Sequence, residues 1–269
     1  MSRDLILLCL ALLGYVLGTL HYLLNLVHPN RRVAAVGTAC TLAGFVLHTL
    51  ALVFRLIEVG RPPFASPYET LSFFSWTVVL VYLVFEFRYQ NRIIGAFVLP
   101  IAVLAGSGAA ALPRRIGELV PKLQGVGLWS HVALAVSGNA TFVLTFCVGI
   151  LYLFQERQLK SHRPGPLYFR LPSLELLDQV AIRSVLVGFP LLTLAMLSGA
   201  AWAEHARGSF FSVRAREIWS VLSWLIFAGL LYARVSAGWR GRKAAMLAIL
   251  GFCFVLFSFL GARLLGASI

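Results

Sequence analysis

Acidic residues are scarce. Only 10 of the 269 positions are Asp or Glu, against 23 Lys or Arg, and charged residues together make up 12% of the chain. Soluble domains carry about 25%, so this chain lacks the charge to clothe a water-facing surface. The spacings of dedicated chemical centres are missing too. The four cysteines, Cys9, Cys40, Cys147 and Cys253, lie far apart with no CxxC, which leaves dithiol redox chemistry without local support. They read as small buried apolar residues. No two histidines have HExxH spacing, which argues against that kind of metalloprotease centre. No nucleophile, general base or metal-bound water is visible. No internal repeat or low-complexity tract stands out. No connection is long enough for a soluble domain; the longest runs from about 155 to 180.

What is abundant is apolar length. Hydrophobic residues make up 59% and mean hydropathy is +0.86. A membrane span needs about 20 mostly apolar residues. Such stretches fall at 4–26, 33–57, 68–87, 93–112, 128–154, 181–202, 218–235 and 244–265. Runs of that length predict helices, because a barrel shows shorter alternating segments. The expected fold is all-α, a polytopic membrane bundle of about eight transmembrane helices, in a single domain over 1–269. The amino end has only Arg3 beside Asp4 before its apolar run, and no clear cleavage site. It reads as a retained first helix rather than a signal peptide.

Eight spans put both termini on one side. The seventh connection, ARVSAGWRGRK, holds four cations and no acid. The positive-inside rule therefore puts odd connections in the cytoplasm and both termini outside, as expected for a bacterial inner membrane. The net charge of +13 is spread over loops beside a membrane. Anionic lipid is its ordinary partner, and no nucleic acid is called for. The outer face then gathers EVGRPPFASPYE, PRRIGELVPKLQGVG and EHARGSFFSVRARE.

Ionisable groups at membrane depth are functional candidates by default. His48 lies in span two with Gly44, Ala51 and Arg55 on its face. These small neighbours leave room for a flat ligand, and Arg55 offers a cation to an acidic edge. The alternative is a histidine hydrogen-bonded to another helix and a snorkelling arginine. His131 opens span five, with Ala135 and Gly138 continuing its face. It reads as a ligand for a metal or haem iron, or as a satisfied interfacial histidine. His21, His28 and His162 read as structural or solvated. His205 stands in an outer loop beside Trp202, which with Trp129 and Trp219 fits an interfacial aromatic belt. In SPYETLSFFSW, Ser66, Pro67 and Glu69 predict a capping box at a helix start.

Several stretches taken together resemble the cytochrome c assembly family of CcsA and HemX type. They are GFVLHTLALVFRLIEVGRPPFASPYETLSFFSW, LWSHVALAVSGNATFVLTFCVGILYLFQERQLK, RLPSLELLDQ, GFPLLTLAMLSGAAWA and IWSVLSWLIFAGLLYARVSAGWRGRKAAMLAILGF. The resemblance implies haem handling at the outer face. Family members carry a tryptophan-rich platform reading roughly W-G-x-Y-W-x-W-D-P-K-E, and RGSFFSVRARE stands in its place. Gly208, Ser209 and Glu217 match, and Phe210 replaces the tyrosine. Arg207, Phe211 and Val213 stand where tryptophans are expected, and Arg214 where the aspartate is. His131 matches the first outer haem ligand. The second normally follows the last span, where this sequence reads GARLLGASI, and Tyr232 stands where synthase members tend to carry histidine.

The resemblance thus implies a haem-binding membrane protein assisting cytochrome c biogenesis or haem trafficking, accessory to the attachment machinery rather than clearly catalytic. His131 and His48 would hold iron. Arg55, Arg207 and Arg214 would meet propionates, with His205, Trp202, Phe210 and Phe211 beside them. Expected partners are an assembly subunit or apocytochrome c. The second expectation is a non-haem scaffold that docks a haem-biosynthetic or assembly partner through the inner loop QERQLKSHRPGPLYFRLPSLELLDQ.

Overall fold

Each apolar run folds as a helix. The computed structural model describes residues 2–64, 66–114, 126–161, 165, 167–207 and 215–264. Its helices are α1 (Arg3–Val27), α2 (Arg31–Val59), α3 (Pro67–Tyr89), α4 (Gly95–Ala111), α5 (Val126–Lys160), α6 (Leu174–Arg207), α7 (Ala215–Ser236) and α8 (Arg242–Leu264). No strand occurs among the described residues. Six of the described helices, α1, α2, α3, α5, α6 and α7, are long and apolar enough to cross a membrane. The chain is an integral-membrane helical bundle. Helix α4 is shorter at 17 residues, or about 26 Å at the standard rise.

Local chemistry sets the ends. Asn30 starts α2 by accepting a hydrogen bond from the Arg32 N–H at 2.8 Å. The helix stops at Gly60, whose φ of 69° suits a residue without Cβ. At α3 the expected capping box forms: Ser66 Oγ accepts from the Glu69 N–H, and Glu69 Oε2 accepts from the Ser66 N–H.

The chain divides into two compact units, Met1–Gln124 and Gly125–Ile269. In the first, α1 packs on α2 and α4, and α3 packs on α2 and α4. In the second, α5 packs on α6 and α8, and α7 packs on α6 and α8. The wiring is the same, and it corrects the expectation of no internal repeat. Gly44, Phe45, Leu47, Thr49, Leu50 and Ala51 of α2 recur as Gly188, Phe189, Leu191, Thr193, Leu194 and Ala195 of α6. Glu69, Ser72, Ser75 and Trp76 of α3 recur as Glu217, Ser220, Ser223 and Trp224 of α7.

The recurring residues make recurring contacts. Trp76 Nε1 donates to Thr49 Oγ1 at 2.8 Å, and Trp224 Nε1 donates to Thr193 Oγ1 at 2.9 Å. The two indoles pair with Phe45 and Phe189, with ring centroids 5.2 and 5.4 Å apart. Small residues bring helix backbones together in both units, as van der Waals packing in lipid requires. A Cβ on Gly44 would stand 2.8 Å from the Ala11 carbonyl oxygen of α1. One on Gly138 would stand 3.1 Å from the Leu192 nitrogen of α6. The repeat escaped sequence reading because connection lengths differ and only two helix pairs keep their identities.

Candidate functional site

Histidine availability is decided by how many ring nitrogens the protein itself takes. His48, at 0% exposure, has both engaged: Nδ1 lies 3.2 Å from the Tyr15 hydroxyl and Nε2 lies 3.0 Å from Ser72 Oγ. The ring therefore ties α1, α2 and α3 together. The small residues on its face serve the same packing, since Gly44 is covered by the Tyr15 ring. Room for a flat ligand is not what they provide. Tyr15–His48–Ser72 instead makes a closed polar bridge in an apolar bundle, where an unpartnered group is costly.

Arg55 is likewise committed. It is 2% exposed, and its Nε and Nη2 donate to Glu69 Oε1 at 3.1 and 3.0 Å. The guanidinium lies over the Tyr68 ring, 5.5 Å from its centroid. Arg61 Nη1 meets the other oxygen of Glu69 at 3.2 Å. The acidic edge that Arg55 serves is thus Glu69, which also closes the capping box. Beside it, Asp4 pairs with Arg114 and accepts from the Tyr68 hydroxyl at 3.2 Å. Burial pulls the Arg114 guanidinium down, but the Asp4 carboxylate and Tyr68 outweigh it and hold it raised. Sequence reading missed the pairing of Asp4 with Arg114. Its only trace was an acid at the head of a membrane helix.

His131 differs. Its Nδ1 lies 2.7 Å from the carbonyl oxygen of Ala195 in α6. A carbonyl only accepts, so Nδ1 carries the proton and Nε2 keeps its lone pair. Among the described residues Nε2 makes no hydrogen bond. The ring lies against Gly199, where a Cβ would stand 2.6 Å from Nδ1. One turn earlier on α5, Gly127 meets Trp202, whose Cδ1 would be 3.3 Å from an added Cβ. His131 is half-buried. An imidazole oriented by a backbone carbonyl through one nitrogen, with the other unspent, has the outer-sphere support typical of a metal ligand. The donor set therefore fits haem iron at His131 and, as the rings stand, not at His48.

Of the remaining expected residues, Phe210, Phe211 and Arg214 lie outside the described residues. His205 and Arg207 belong to the end of α6, and their side chains are outside the description. Tyr232 is exposed at 71%. Among the described residues no three His, Cys, Asp or Glu side chains gather as a metal site. Iron held here would rely on a single described protein ligand.

Residues 65–269 match the family described as Cytochrome C assembly protein. The chain belongs to that family. Assembly-family relatives align over most of the chain. A "Cytochrome c biogenesis protein CcsA" of Guillardia theta is 31% identical, covering 94% of this chain and 91% of the relative. One of Prochlorococcus marinus (strain MIT 9301) is 36% identical over 82% of this chain and 79% of its own. Among solved structures, "Cytochrome c Heme Lyase CcmF" shares the fold with a TM-score of 0.73 at 15% identity. That likeness covers 97% of this chain but 47% of the CcmF chain, so this chain spans about half its length. His131 and Trp202 lie inside the stretch matched to the assembly family; His48 and Arg55 precede it.

Proposed function

We propose that this protein serves cytochrome c biogenesis by holding haem at the end of its second unit, where His131 Nε2 would hold the iron. The observation that carries the reading is the Nδ1 contact to Ala195 at 2.7 Å, which leaves Nε2 as the basic nitrogen. Bound haem would supply iron and the vinyl groups that receive apocytochrome thiols. The chain's own part is positional. Ala195 fixes the tautomer, Gly199 lets the ring lie against α6, and Trp202 closes the helix pair over Gly127. Arg207 ends α6 and Arg214 follows on the connection after it, where guanidinium forks suit propionates. His205, also at the end of α6, and Phe210 and Phe211 of that connection would complete the haem-facing side. Apocytochrome c or an assembly subunit is the partner on that side. The charge pattern of the connections supports an extracytoplasmic location for it, in a cytoplasmic-type membrane with both termini outside.

The engaged nitrogens of His48 favour a second reading, a non-haem scaffold that docks a haem-biosynthetic or assembly partner. Colour separates the two. Protein purified in detergent from haem-replete cells should show a Soret band. His131→Ala should remove most of it, and Gly199→Val should weaken it by pushing the ring from its seat. His48→Gln should leave it in place. A colourless wild type that takes up no added haemin would hand the case to the scaffold.

A further inference from the structure

The two units differ at the end formed by the α1–α2 and α3–α4 connections and its counterpart, α5–α6 and α7–α8. In the second unit this end is filled by the protein's own carboxylate. Asp178 Oδ2 pairs with Arg234 Nη2 at 2.5 Å, and Asp178 Oδ1 accepts from Arg234 Nη1 at 3.0 Å and from the Gly241 N–H at 3.1 Å. By the α2–α6 correspondence, the position of Asp178 is held in the first unit by Ala34. There the space stays open as a cleft of about 370 Å³.

The cleft's walls are donors. Arg31 and Arg92 line it, with Asn25, Asn30 and Asn91. Each of these three amides spends its oxygen on the backbone. Asn25 Oδ1 accepts from the Asn30 N–H, Asn30 Oδ1 from the Arg32 N–H and Asn91 Oδ1 from the Ile93 N–H. Their amide nitrogens therefore remain as donors, with no acceptor among the described residues. Gln90 is the exception, since its Nε2 donates to the Phe87 carbonyl. Arg92 is steadied through Nε by Glu86, 3.3 Å away, whose oxygens also accept from Tyr22, Tyr82 and Thr38. Arg31 is exposed and makes no ion pair among the described residues. No carboxylate lines the cleft.

We propose that this cleft binds a phosphate-bearing anion on Arg31, Arg92 and the three asparagine amides. A phosphate offers more acceptor oxygens than a carboxylate, and planar guanidinium forks match it. The cleft opens at the end of membrane-crossing helices, where phospholipid headgroups lie. The shared chemistry is the phosphate; its source is an anionic phospholipid headgroup or free phosphate.

The test uses the full chain in detergent, titrated with short-chain phosphatidylglycerol, short-chain phosphatidylcholine and inorganic phosphate. Thermal shift and native mass spectrometry read binding. Wild type should bind one phosphatidylglycerol saturably. Ala34→Asp puts a carboxylate on the cleft wall and should weaken binding at least tenfold. Asn25→Asp keeps the oxygen that caps Asn30, so the turn survives, yet it should also weaken binding tenfold. Saturation by inorganic phosphate at matching concentration would identify the free ion as the source; saturation by phosphatidylglycerol alone would identify the lipid. Equal binding of phosphatidylcholine, no saturable binding, or both variants binding as wild type would overturn the proposal.

Discussion

In the first unit Tyr15, His48 and Ser72 form one bridge, whereas the α2–α6 and α3–α7 correspondences match His48 and Ser72 with Leu192 and Ser220 in the second. In the first unit the histidine bridges its neighbours and all three polar groups are served. In the second, a leucine replaces the histidine, and the buried Asn139 Oδ1 has no hydrogen-bond partner. The second unit carries an imidazole elsewhere, His131 at the head of α5. One unit therefore uses histidine as mortar. The other keeps a nitrogen in reserve.

The largest test of this contrast is at the first unit's buried charge. Glu69→Ala leaves Arg55 at 2% exposure without its closest carboxylate. Breaking a buried pair from one side costs about 3–5 kcal/mol. A large drop in the detergent melting temperature is expected, and an unchanged melting temperature would mean that the Arg55–Glu69 pair does not hold this unit together. Next is Tyr15→Phe, which removes the hydroxyl facing His48 Nδ1 and should cost about 1–3 kcal/mol for the unserved group. Urea or thermal unfolding of the detergent-solubilised protein measures it. Smallest is Asn139→Leu in the second unit. Deleting an amide oxygen that already lacks a partner should shift stability by less than about 1 kcal/mol, in the stabilising direction. Destabilisation by Asn139→Leu as large as that of Tyr15→Phe would mean that the amide carries a role of its own.

Much of the fold was legible because lipid leaves little choice. Runs at 4–26 and 33–57 became Arg3–Val27 and Arg31–Val59 nearly unchanged. The disagreement lies where helices leave the apolar zone: α5 continues to Lys160 and α6 begins at Leu174, ahead of the expected 181. Hydropathy marks where lipid ends, but the backbone goes on hydrogen-bonding in water, supported here by Lys160 reaching Glu156 at 2.7 Å. The site was legible only in part. His131 could be singled out as an imidazole with small residues below it. That its Nδ1 would meet Ala195, and its ring Gly199, depends on how α5 and α6 register, which spacing within one helix cannot give. His48 looked equally available for the same reason, because its partners Tyr15 and Ser72 come from two other helices.

The Glu69 carboxylate receives Arg55 on its first oxygen, and Arg61 and the Ser66 N–H on its second. The last turn of α2, the link to α3 and the first turn of α3 thus hang on a single knot. That corner behaves as a latch rather than a hinge: its parts come undone together or stay shut.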